Sequence, residues 1–154
     1  MVTLGSRVNL SVVLTFRRLR CFGFTFFLFS ACGPIHVGSP VAPNDLAPTS
    51  GTIVAQGSFQ SQGGQTVSGT ATVYQIDSAG NYVIRLAGLS VTQESGLQVI
   101  AVTKAAQSYP LSLRANSGNQ NYSLGLDAPV VWKQINIHST LKNTDYGEAL
   151  LSSN

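Results

Sequence analysis

Two histidines, His36 and His138, and two cysteines, Cys21 and Cys32, are the residues of this 154-residue chain best suited to metal or thiol chemistry. A zinc site takes three or four nitrogen or sulfur ligands at close spacing. His36 lies in a Pro-rich stretch, His138 ends a far-downstream apolar run, and both cysteines precede them, so no metal is expected. A serine nucleophile needs a histidine base oriented by a carboxylate. His138 with Asp127 or Asp145 is the available pair, and no Gly-x-Ser-x-Gly turn accompanies it. Asp127, Asp145 and Glu148 could pair as acid and base or hold calcium, although solvated turn acids account for them far more simply. Gly63-Gly64 is a two-glycine turn without the lysine of a phosphate loop. Trp132, Tyr122 and Gln120 offer two readings: a packed interior, or a surface on which a ligand stacks and hydrogen-bonds. No catalytic residue is assigned.

The elements that must position these residues read as strands. Thr52 to Gln60 is a first candidate. Thr66 to Ile76 alternates Val67, Gly69, Ala71 and Val73 with polar neighbours, the period of two that marks a half-buried strand. Asp77-Ser78-Ala79-Gly80-Asn81 supplies turn chemistry. Tyr82 to Leu89 returns with Tyr82, Ile84 and Leu86 on one face, which makes a hairpin. Leu97 to Val102, Leu111 to Arg114 after Pro110, Tyr122 to Leu126 after a polar turn, Val130 to His138 and Tyr146 to Leu151 follow. A short helix within 104–109 or 140–147 is an open alternative. Strands about every eight to twelve residues predict an all-β, antiparallel sandwich or barrel-like domain of about eight to ten short strands. It spans residues 52–154.

One strand contains a conflict. Regular alternation would put Val131, Lys133, Ile135 and Ile137 on one face and Trp132, Gln134, Asn136 and His138 on the other. A lysine then shares the apolar face while the tryptophan sits among polar residues. A bulge near Lys133 would turn Trp132 and Ile135 to the same side and the ammonium to water; otherwise Lys133 must snorkel from a sheet edge or pair with an acid such as Glu148, because an unpaired buried ammonium is costly.

Residues 1–31 read as an address. Arg7, Arg17, Arg18 and Arg20 precede an uncharged, mostly apolar run from Cys21 to Ala31. A membrane-spanning helix needs ~20 apolar residues, so this run has the length of a secretory h-region instead. It ends in Ser30-Ala31-Cys32, which resembles the lipobox of bacterial lipoproteins, with Phe29 where that family usually has an aliphatic residue. The resemblance implies cleavage before Cys32, diacylation of its thiol, and an extracytoplasmic protein anchored to the cell envelope, at the outer membrane or cell surface. Residues 32–51 would then be the lipid-attachment cysteine and a tether, since Pro34, Pro40, Pro43 and Pro48 favour extended chain. The alternative is an ordered arm pinned along the domain by Val37 and Val41.

Removing residues 1–31 changes the charge balance. Nine Lys and Arg minus four in the leader leave five, against six Asp and Glu, so the remainder is near −1. A nucleic-acid binder would present a clustered basic face, and none is present. The partners expected are the membrane, through the lipid, and an unidentified protein, glycan or small ligand.

A second resemblance covers about Gly57 to Leu151. Gly57-Ser58-Phe59, Val67 to Ala71, Leu86 to Val91, Gly96 to Val99, Gly118 to Tyr122, Val131-Trp132 and Tyr146 to Leu150 occur in the order found in the DM-thirteen domain, the Skeletor-associated electron-transfer module. The resemblance implies a β-rich extracytoplasmic domain acting through one cysteine, as a thiol or haem ligand. That cysteine follows the tryptophan in the family, and here the position is Lys133. Two function classes therefore stand: a non-catalytic binding or structural module, and a redox or electron-transfer accessory that lacks its thiol. No cofactor, haem included, is expected.

Overall fold

The structure is a computed structural model that describes residues 41–154. The leader, Cys32, His36, Val37 and the first part of the Pro-rich stretch lie outside the described residues.

Among the described residues nine strands follow in order: β1 (Thr52–Ser61), β2 (Val67–Gln75), β3 (Asn81–Val91), β4 (Leu97–Thr103), β5 (Ser108–Ser112), β6 (Ser117–Gly125), β7 (Trp132–Ser139), β8 (Thr144–Leu150) and β9 (Ser152–Ser153). They form one antiparallel sheet in the spatial order β5-β4-β7-β8-β1-β2-β3-β6, with β9 beside β1. The sheet curls into a nearly closed barrel. β1 joins its halves: Thr52 to Ser58 pair with β2, and Phe59 to Ser61 pair with β8.

The alternation read from sequence becomes the inside and outside of the barrel. Val67, Ala71 and Val73 point inward beside Tyr82, Ile84 and Leu86, and Val99, Ala101, Ile135, Ile137 and Ala149 complete the core. Bulges bend the sheet, because an extra residue on one strand increases local twist. One lies between Ile137 and His138 opposite Gly147 and Asp145, where the extra residue, Tyr146, turns its ring inward and is fully buried. Another close approach fixes residue type. A Cβ on Gly57 would collide with the carbonyl oxygen of Leu150, where the chain bends from β8 into β9.

Three local expectations are corrected. The strand expected at Leu111 to Arg114 runs instead over Ser108–Ser112, with Pro110 inside it. Proline tolerates that place because β5 is an edge strand with only β4 beside it. The polar stretch before Tyr122 is strand from Ser117 onward, paired with β3; its Ser, Gly and Asn residues mimic a turn in composition only. Neither helix alternative forms. Lys104–Gln107 and Thr140–Asn143 are turns, with Ala106 at φ 61 and Asn143 at φ 49.

The strands define two ends. Segments 62–66, 92–96, 113–116 and 140–143 gather at one, called here the upper end. Segments 76–80, 104–107 and 126–131 gather at the lower end, with the start of β1.

Candidate functional site

Trp132 is interior. It is 3% exposed, and its indole stands edge-on to Tyr82 (centroids 5.2 Å apart) and Tyr109 (6.0 Å). Its Nε1 has no hydrogen-bond partner among the described residues. Lys133 is the residue skipped in the β4–β7 register, where Val102 faces Gln134 and Thr103 faces Trp132. This is the bulge that resolves the conflict in the apolar pattern, and Lys133 needs neither an edge to snorkel from nor an acid partner. Trp132 and Ile135 both point inward, and Lys133 is exposed.

Gln120 and Tyr122 also belong to the packing. The Gln120 side chain is fully buried. Its Oε1 accepts from Tyr122 Oη (2.7 Å), Arg114 N (3.2 Å) and Ala115 N (3.3 Å), and its Nε2 donates to Ala115 O (2.7 Å) and Ser117 O (3.2 Å). One amide thereby satisfies the backbone of the 113–117 segment that joins β5 to β6. Buried polar groups cost least when paired in this way. Burial pushes the Tyr122 phenol above its ordinary pKa.

The carboxylates named from sequence separate. Asp145 Oδ1 lies 2.8 Å from His138 Nδ1, and its Oδ2 accepts from Asn136 Nδ2 at 3.0 Å. Glu148 accepts from Gln62 Nε2 at 2.9 Å. Asp127 lies in the 126–131 segment at the lower end, beside Tyr109. Among the described residues no three His, Cys, Asp or Glu side chains converge. His138, Asp145, Asn136, Gln62 and Asn143 instead line an open depression of about 560 Å³ on the outer surface. β7 and β8 supply His138, Asn136 and Asp145 because the bulge at Tyr146 sets His138 opposite Asp145. The arrangement offers amide donors and acceptors around one imidazole–carboxylate pair, suited to reversible polar contacts.

A second polar cluster was not legible in the sequence. Glu94, from the β3–β4 segment, accepts from Lys142 Nζ (2.7 Å), from Tyr146 Oη and from Ser139 Oγ (3.4 Å). Lys142 Nζ also reaches Tyr146 Oη at 2.9 Å. Ser139 and Tyr146 are fully buried, and their hydroxyls serve to pin the β7–β8 turn to the β3–β4 segment. These partners are roughly fifty residues apart in sequence, so no local spacing announces them.

The third polar site lies where the sequence predicted a tether. Residues 43–46 lie on the free edge of β6 as a parallel bridge, Asn44 beside Asn119. Asn119 N donates to Pro43 O (2.7 Å), Asp45 N donates to Asn119 O (3.0 Å), and Asn121 Nδ2 donates to Leu46 O (2.7 Å). The Asp45 carboxylate accepts from Arg114 Nη1 (2.5 Å) and Asn121 N (2.8 Å), while its carbonyl accepts from Arg85 Nη1 (3.0 Å). Gly118 makes room, since a Cβ there would meet Pro43 O. The Arg114 guanidinium, and then the Asn121 N–H, hold the Asp45 carboxyl below the usual carboxylate range. Val41 is 93% exposed and takes no part in the docking; polar residues hold this arm. Asp45 is the one Asp, Glu, Lys or Arg between Cys32 and Gly51, and that isolation was the available signal.

Comparison with known proteins finds no matching family model, no matching curated sequence and no matching solved structure.

Proposed function

We propose that the chain is a membrane-anchored extracytoplasmic lipoprotein, acylated at Cys32, whose β-domain is a non-catalytic binding module of the DM-thirteen kind. The anchoring part rests on the residues from Arg17 to Cys32. The observation behind the binding role is the open depression on β7 and β8, where the amides of Asn136, Asn143 and Gln62 surround the His138 imidazole and the Asp145 carboxylate. Its breadth suits a protein or glycan surface. The electron-transfer reading has less behind it. Both cysteines lie at or before residue 32, and Lys133 presents an amine to solvent where the resembled family has its thiol. Photo-crosslinking tests the binding role. A photoreactive residue at Asn136 or Asn143 should give discrete adducts in the cell envelope, and one at Thr72, on the opposite flank of the sheet, should not. Equal yields from all three positions, or none, would remove this face as the binding surface.

A further inference from the structure

The direction of the docked arm has a consequence for how the domain is held. The arm runs parallel to β6, with Pro43 beside Gly118 and Leu46 beside Asn121. β6 starts at the upper end of the barrel, so Ala42, which precedes Pro43 and lies against Gly118, is at that end. Residues 47–51 then carry the chain to the lower end, where Thr52 pairs with Gln75. The two ends of this short segment therefore lie at opposite poles of the domain.

We propose that the Pro43–Leu46 clasp on β6 is an orientation device: it makes the upper end of the barrel face the membrane, and its release would turn the lower end toward the membrane. The proposal rests on the reading that Cys32 is lipidated. The reach of the chain makes the clasp decisive. The ten or so residues between Cys32 and Pro43 span at most ~35 Å when fully extended, and about 18 Å as a flexible chain. A compact domain of this size has a radius of gyration of ~13 Å. As a flexible chain this leash is shorter than the domain is wide, so on average it holds its point of attachment nearer the bilayer than the opposite pole. With the clasp docked, the attachment point is Pro43 at the upper end. With it undone, the attachment point becomes Thr52 at the lower end, and the leash gains about nine residues, or ~30 Å when extended. The docking groups hold the arm at one place on the sheet. Arg114 and Arg85 both converge on Asp45, and the glycine at 118 admits the Pro43 carbonyl. A passive spacer would need none of them.

The test uses the full-length lipidated protein reconstituted in phosphatidylethanolamine–phosphatidylglycerol vesicles. One fluorophore is placed on an introduced thiol, by L141C at the upper end or A79C at the lower end, and quenched by lipids spin-labelled at the headgroup. Quenching at 141 should exceed that at 79 several-fold. The order should reverse in D45K, which sets a cation against Arg114 and Arg85, and in R114E, which changes an exposed side chain. Circular dichroism confirms that both variants keep their strands. Equal quenching at both positions, or an order unchanged in D45K and R114E, refutes the clasp as an orienting device and leaves anchoring intact. If the protein does not co-float with vesicles, or if C32S co-floats equally well, the anchoring reading fails and the orientation proposal fails with it.

Discussion

Replacing Trp132 with alanine and with phenylalanine should give two very different costs, because the indole does two opposing things. Its rings fill the barrel beside Tyr82 and Tyr109 at 3% exposure. Truncation to alanine removes that contact and leaves a cavity, at about 3–5 kcal/mol. The Nε1–H is buried without a partner among the described residues, and an unsatisfied buried donor costs about 1–3 kcal/mol. Phenylalanine keeps the six-membered ring and the edge-on contacts. It gives up about 40 Å² of apolar burial, or ~1 kcal/mol, and it removes the orphaned donor. Trp132→Phe should therefore fall within about 1 kcal/mol of the parent protein. Urea unfolding followed by circular dichroism is the assay, since the chain has one tryptophan and the substitution abolishes its fluorescence. With slopes of ~1–3 kcal/mol per molar urea, Trp132→Ala should lower the midpoint by about 2 M and Trp132→Phe by less than half that. If phenylalanine costs as much as alanine, the indole N–H makes a favourable bond and the opposing-terms reasoning is wrong. In the parent protein, tryptophan emission should be blue-shifted and resist iodide, and strong quenching would contradict the burial itself.

Three further outcomes are expected. Acid should undo the clasp before the barrel: Asp45 has a depressed pKa, so its stabilising contribution is complete above the ordinary carboxylate value of 3.8 and is lost as pH falls through its lower folded value. Hydrogen exchange at the Asn119 and Asn121 amides across that window reads it, and unchanged protection down to global unfolding would count against it. Gly57→Ala should destabilise by about 1–3 kcal/mol, the usual cost of overpacking, because its Cβ meets Leu150 O; a neutral result in thermal unfolding would mean that the β8–β9 bend can shift freely. Lys133→Cys should leave stability within about 0.5 kcal/mol, as exposed substitutions do, while its thiol reacts with maleimide in the folded state; a protected thiol there would contradict the outward bulge.

The all-β fold was legible because a period of two survives in most strands. Val67 to Val73 and Tyr82 to Leu86 point where their alternation said they would. The bulge at Lys133 was legible for the opposite reason, since the pattern broke there and an inserted residue is one way to restore a single apolar face. Composition misled where tertiary partners decide the outcome. Ser117 to Asn121 look like a turn, yet they pair with β3 on one side and receive the arm on the other. The polar clusters were hidden for a related reason. Glu94 meets Lys142 and Tyr146, and Asp45 meets Arg114, across separations that strand pairing alone creates. His138 and Asp145 were closer to hand, but Asp127 matched equally well on paper. The register shift between β7 and β8 selected Asp145.

The arm and the barrel share a common problem, which is the seam between β5 and β6. An almost closed sheet leaves two strands with unpaired backbone groups, and such edges invite pairing with other chains. Each edge here is managed differently. β5 is short and carries Pro110, which has no N–H to offer. The 113–117 crossing between the two edges is tied inward by Gln120. β6 is the longer edge, with no proline to blunt it, and its exposed start is the part covered by Pro43 to Leu46. The chain leading into the domain thus completes the barrel surface at its weakest point. Any force that pulls the arm off β6 also bares a strand edge. Release of the clasp therefore also frees that edge to pair with another strand.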